Sequence, residues 1–385
     1  LAAGKLVYLS GDLDKPLALV GELCPAEMAD SETAWRQAWL AGETLLEIGL
    51  NRAQDSALGR DLLKRVQRRL TDLLAQGKLA PRERAGAGDS LGQLGDPRFD
   101  PALWHLPTEP LLGFVEIPAG PFWMGSDPKK DRDASKDEQP QHEVNLPAFY
   151  LARYPVTTAQ YQAFVEDSGY QPLYPDDLHS LPNLPVVLVT WYNALAYCHW
   201  LDGKLQAYAQ KLISEEKGRG DKGIGDVSQE AFWQGLASGR LAATLPSEAE
   251  WEKAARGTDG RIYPWGDKFD AEKANLELKI GRTSAVGCFP GGASPYGVLD
   301  LSGNVWEWTR SLWGKNREKP DFKYPYNPGK EREELEAPQE MLRVQRGGFL
   351  YGRGHARCAC RYRVNPNQGV SILGFRVVVS PLGGG

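Results

Sequence analysis

The residues best equipped for chemistry lie near the C-terminus, between Arg346 and Arg376, in the run RGGFLYGRGHARCACRYRVNPNQGVSILGFR. Two thiols, Cys358 and Cys360, stand one residue apart there, close to His355. A thiolate is a nucleophile and a ligand for soft metals. A single intervening residue is nevertheless too tight for a zinc knuckle. Cys24, Cys198 and Cys288 are isolated, so the 5 cysteines form neither a disulfide framework nor a metal-ligand pattern. The 5 histidines, His105, His142, His179, His199 and His355, are scattered too. A lone histidine is more often a structural or surface residue than a ligand. A second group, Asp300, Gly303, Asn304 and Glu307, sits between bulky apolar residues in YGVLDLSGNVWEWTRSLW.

The stretch around the thiols lacks acids and lacks the period-two alternation of a half-buried strand. It mixes aromatic, basic, small and thiol side chains between two glycine-bearing ends, and it reads as an irregular, partly exposed recognition surface. Tyr and Phe give contact area at low entropy cost, while Arg and His add directional hydrogen bonds. The residues expected to meet a ligand are Phe349, Leu350, Tyr351, Arg353, His355, Cys358, Cys360, Tyr362, Val364, Asn367, Val370, Ser371 and Ile372. Val370, Ile372 and Leu373 read equally well as core.

The elements that must position this surface follow from periodicity. Residues 1–110 form a helical region with a Pro-rich exit. SETAWRQAWLAGETLLEIGL and DLLKRVQRRLTDLLAQG carry apolar residues at helical spacing, Gly77 stops the second, and a short helix ends at Gly95-Asp96-Pro97. From Phe114 the texture changes to short strands. Helices open at the capping box of Thr157 with Gln160, at Thr190, and at the box of Ser247 with Glu250. Residues 202–243, polar and rich in Gly and Lys, read as a solvated insertion. The 27 Pro, 42 Gly and 12 Trp point to a loop-rich α+β domain held by aromatic packing.

A formal charge of -5 gives no whole-chain argument for nucleic acid or an anionic membrane. No apolar run approaches the roughly 20 residues that span a bilayer. The beginning LAAGKLVYLSGDLDK lacks a signal-peptide pattern, and the expected compartment is the cytoplasm.

PAGPFWMGS, YPVTTAQYQAF, VTWYNALAYC, LPSEAEWEKAARG, YPWGD, YGVLDLSGNVWEWT and RGG…GFRVV, in this order, resemble the motifs of the formylglycine-generating enzyme (sulfatase-modifying factor) family over roughly residues 113–380. The resemblance implies a C-type-lectin-like fold across 111–385, with a variable-looking segment at 349–373. In the family's oxidases two cysteines hold copper and activate oxygen. Counting from Gly348, those positions here are Gly352 and Arg357, so no copper is expected. An altered site built on Cys358 and Cys360 is the alternative. The histidines never assemble the HxxxHxE motif of iron-dependent relatives. Ala255 and Val377 stand where secreted relatives have disulfide partners. The resemblance further implies structural calcium at Asp300, Gly303, Val305 and Glu307, and a weaker second site echoed by Asn275 and Leu276, whose acid-bearing loop is shortened to GRTSAVG.

The same fold resembles that of variable proteins of diversity-generating retroelements, whose C-terminal segment is rewritten at template adenines. Substitution at the adenines of AAY codons never yields Trp, Lys, Glu or Gln; residues 349–373 contain no Trp, Lys or Glu, and no Asp or Met either, and Gln368 alone falls outside the permitted set. The expected function is therefore non-enzymatic binding of a protein or other macromolecular ligand, with a modifying oxidase as the alternative.

Overall fold

The computed structural model describes the chain apart from residues 1–4, 6, 7, 9, 10, 220–226, 277, 278, 328, 330, 349–351 and 382–385. Its first part is a helical unit: α1 (Asp14–Leu23), α2 (Glu32–Ile48), α3 (Leu50–Asp55), α4 (Ala57–Ala75) and α5 (Pro81–Leu94). Ser31 and Ser56 cap α2 and α4 by accepting the N–H groups of Ala34 and Gly59. Trp35, Ala38, Leu45 and Ile48 of α2 pack on Leu62, Val66, Leu70 and Leu73 of α4 in one core. That core also takes in Cys288 and Phe289 from the following domain. Arg84 of α5 donates to the carbonyl of Cys288 at 3.0 Å, and Asn183 donates to the carbonyl of Gly88 at 3.0 Å. The helical unit is thus docked on the domain by burial and hydrogen bonds.

Short strands β1 (Phe99–Asp100) and β2 (Leu106–Pro107) lead into that domain. Strands β3 (Phe114–Ile117), β6 (Phe149–Ala152), β7 (Leu241–Thr244) and β12 (Val378–Pro381) make an antiparallel sheet in the order β3-β6-β12-β7. Strands β4 (Gly120–Met124) and β5 (His142–Leu146) form a separate hairpin. A second four-stranded sheet, in the order β10-β9-β8-β11, holds β8 (Trp306–Gly314), β9 (Leu342–Arg346), β10 (Tyr362–Val364) and β11 (Leu373–Phe375). Only β11 runs parallel, against β8. Helices α6 (Thr158–Ser168), α7 (Trp191–Arg219), α8 (Val227–Ala237) and α9 (Glu248–Arg256) flank these sheets.

The expected caps form. Thr157 and Gln160 close a reciprocal box on α6, Thr190 and Asn193 do the same at the mouth of α7, and Ser247 and Glu250 on α9. Trp191, Trp251, Trp308 and Trp313 are fully buried, and each indole N–H finds an acceptor: the carbonyls of Thr309, Val189 and Asn316 for Trp191, Trp308 and Trp313, and the Glu307 carboxylate for Trp251.

Residues 202–243 do not stand apart as a solvated insertion. Helix α7 runs unbroken past Asp202, and Leu205, Ala209, Phe232, Trp233 and Leu236 enter the main core. Strand β7 is an edge of the first sheet. The polar average of this stretch concealed the apolar residues, Phe232 and Trp233 among them, that enter the core.

Candidate ligand-binding site

The two ends of the C-terminal segment are fixed by buried arginines. Arg346, closing β9, donates to Glu252 at 2.8 Å, Glu248 at 3.3 Å and the Tyr324 hydroxyl at 2.9 Å. Its other arm reaches the carbonyls of Cys358 and Cys360 at 2.9 and 3.3 Å. Arg376 grips both oxygens of Glu307 at 2.6 Å and reaches the carbonyls of Ala152 and Leu299. Beneath the segment, Glu248 receives Arg332, Arg346 and Arg361. Burial pushes its carboxyl up, but Arg361, Arg346 and Arg332 overcome this and hold it below the ordinary carboxylate range. Arg357 pairs with Glu138 at 2.5 Å and Asp131 at 2.8 Å.

On this base the expected ligand residues separate into groups. Arg353, Asn367, Val370 and Ser371 are exposed, and His355, Tyr362 and Ile372 are half-buried. His355 and Tyr362 gather around Trp306 at the start of β8, with ring centroids 6.1 and 5.6 Å away, and the Trp306 N–H donates to the Ile372 carbonyl at 2.8 Å. The far end is held by backbone bonds from Leu188 to Val370 and from Trp191 to Pro366. Phe349, Leu350 and Tyr351 lie outside the described residues.

Cys358, Cys360 and Val364 require correction as surface residues, being 0%, 6% and 7% exposed. Cys358 joins a core with Trp251 and Tyr324, whereas Cys360 and Val364 join the main core. The Arg346 bonds to both cysteine carbonyls draw that backbone inward. Burial pushes both thiols up to about 12, so neither is a ready thiolate. Of the two positions where the resemblance places the oxidase cysteines, Gly352 is a turn glycine with φ 70°, and Arg357 is the buried partner of Glu138.

The carboxylates expected to hold calcium have different fates. Asp300 and Asn304 sit at positive φ on either side of Gly303, and a Cβ on Gly303 would come within 2.6 Å of the Asn275 carbonyl. Glu307 does not fit as a principal ligand, because Arg376 and the Trp251 indole occupy its oxygens. Asp300 does fit. It is buried, accepts the Gly287 N–H at 2.6 Å, and is pushed up to about 6 by desolvation, with no ion pair among the described residues. At the weaker site, Leu276 is buried and the Asn275 side-chain oxygen is buried without a partner. Among the described residues no three His, Cys, Asp or Glu side chains cluster as a metal site.

Sequence reasoning missed the buried Trp306 and Trp313 and the arginines Arg317 and Arg363, which gather around Tyr362. Arg363 lies over the rings of Trp313 and Tyr362, at 4.8 and 5.0 Å, and Arg317 lies 5.7 Å from the Tyr362 ring. Arg317 comes from a loop 45 residues away, so no local pattern could place it there. Arg363 was readable only from its neighbour Tyr362.

The model of the sulfatase-modifying factor enzyme 1-like domain matches residues 103–381, and the chain belongs to that family. Over 277 residues it is 33% identical to serine/threonine-protein kinase Pkn1 of Chlamydia trachomatis, covering 71% of this chain and 39% of the kinase. It is 31% identical over 315 residues to the formylglycine-generating enzyme of Mycobacterium tuberculosis, covering 71% of this chain and 100% of that enzyme. The chain spans less than half the length of the first curated relatives it matches. Among solved structures it is similar to Treponema denticola variable protein 1, with 23% identity, a TM-score of 0.45 and coverage of 70% of this chain and 95% of that one.

Proposed function

We propose that the chain is a non-enzymatic binding protein that displays residues 349–373 as a diversified surface, in the manner of the variable proteins of diversity-generating retroelements. The observation that carries this is the division of labour inside the segment. Arg353, His355, Tyr362, Asn367, Val370, Ser371 and Ile372 reach solvent, while arginine-bonded backbone and buried thiols lie behind them. A rigid base under an irregular, aromatic and basic rim is preorganised for a protein or other macromolecular ligand. The missing disulfide partners at Ala255 and Val377 support a reducing compartment, the cytoplasm. Among the described residues no helix is long and apolar enough to cross a membrane.

The enzymatic members among its relatives favour a second reading, a copper-dependent oxidase with an altered thiol site. Oxygen uptake with Cu(I) and a Cys-containing peptide separates the two. No turnover is expected; turnover that disappears in Cys358→Ser would replace binding with oxidation.

Structural calcium belongs to the same proposal. Asp300 would hold it with the carbonyls of Gly303 and Val305, Glu307 contributing less because of Arg376, and Asn275 and Leu276 would supply a weaker neighbour. Hard calcium suits such oxygens. Calcium at about 100 times its Kd is expected to stabilise the fold by about 2.7 kcal/mol over chelator-treated protein. Thermal denaturation reads this as a raised Tm that Asp300→Ala abolishes. An unchanged Tm removes the ion from the account.

A further inference from the structure

The arginines around the segment are answered by carboxylates or carbonyls, with two exceptions. Arg346, Arg357, Arg361 and Arg376 have buried carboxylates, and even the exposed Arg353 meets Asp133 at 3.2 Å. Arg317 and Arg363 have no carboxylate within ion-pair distance among the described residues. The Arg363 Nε is buried without a hydrogen-bond partner. Its guanidinium nevertheless lies over Trp313 and Tyr362, while Arg317 lies over Tyr362 and donates to that hydroxyl at 3.4 Å. Aromatic faces hold a guanidinium in place and strip part of its water, but offer no charged acceptor for its N–H fork.

We propose that Arg317 and Arg363, set on Trp313 and Tyr362, form a subsite for a carboxylate side chain of an acidic protein ligand. This rests on the reading of the neighbouring segment as a binding face and specifies what one corner of it recognises. A planar fork fixed by stacking matches a carboxylate, and such charge-assisted bonds are about twice as strong as neutral ones. Two uncompensated cations suit one or two acidic side chains. They are too few for nucleic acid, whose affinity rests on many phosphate contacts. Strand β10 is an edge of its sheet, and Arg317 is exposed while Tyr362 and Arg363 are half-buried beside it.

The test is selection of random peptides displayed on phage against the immobilised full chain, followed by affinities of the selected peptides for variants. Enrichment in Asp and Glu is expected, with affinity falling about tenfold in Arg363→Gln and in Arg317→Gln, as loss of a charge-assisted bond predicts. Arg68→Gln, at an exposed position on α4 of the helical unit, should leave it unchanged. Equal Tm values for all variants separate binding from folding. Peptides that need Tyr362 and His355 but carry no acid and ignore both arginine variants overturn the subsite while leaving the binding face. A single-stranded oligonucleotide that outcompetes the acidic peptides also overturns it. Failure of any peptide to exceed the bare matrix counts against both subsite and face.

Discussion

Replacing Glu248 with Ala is expected to destabilise the domain by about 3–5 kcal/mol, a large share of the total stability of an ordinary domain. Glu248 is fully buried and takes hydrogen bonds from Arg332 at 2.8 Å, Arg346 at 3.3 Å and Arg361 at 2.8 and 2.9 Å. Its removal leaves Arg361 and Arg332 without their carboxylate partner in a dry interior, while Arg346 retains Glu252. An uncompensated buried charge costs more than the cavity left by a side chain of this size. Urea denaturation measures the loss, and Glu248→Gln separates its causes. A similar loss in the Gln variant assigns the effect to charge, and near wild-type stability would assign it to volume.

Replacing Arg357 with Ala is the second large effect, again about 3–5 kcal/mol, but directed at the binding segment. Arg357 clamps residues near the start of β10 to Glu138 and Asp131, far away in the chain. Burial already holds the Glu138 carboxyl above its ordinary value despite this partner, and removing the guanidinium pushes it further the same way. Hydrogen exchange should accelerate in 352–360 before the β3-β6-β12-β7 sheet loosens. Arg353→Ala gives the contrast. Its pairing with Asp133 is solvated, and the expected change is under about 1 kcal/mol. Equal losses in the two variants would contradict the division between buried base and exposed rim.

The local features of this chain were legible because they are written within a few residues. Thr157, Thr190 and Ser247 announce their helices through side chains that bond three residues on, and the structure forms every one of those caps. The bookends of the C-terminal segment were legible as structural, although their partners were not. Nothing near Arg346 reveals Glu248 or Glu252, almost a hundred residues earlier. The cysteines misled for the same reason. Their spacing invites a surface reading, whereas their burial follows from the inward pull of Arg346 on two carbonyls. Arg317 reaches the rim across a sheet, and Phe232 and Trp233 enter the core from a stretch whose average polarity conceals them. Pairing over long sequence separation carries the information that periodicity and capping lack.

The central claim, a fixed frame carrying a rewritten face, is tested most directly by sequencing sibling copies of the gene with the DNA beside it. The account predicts differences concentrated in the codons for 349–373, with Arg346, Gly347, Gly348, Gly374, Phe375 and Arg376 unchanged, and a near-repeat of that stretch next to a reverse-transcriptase gene. An invariant segment, with neither near-repeat nor reverse transcriptase nearby, would contradict it.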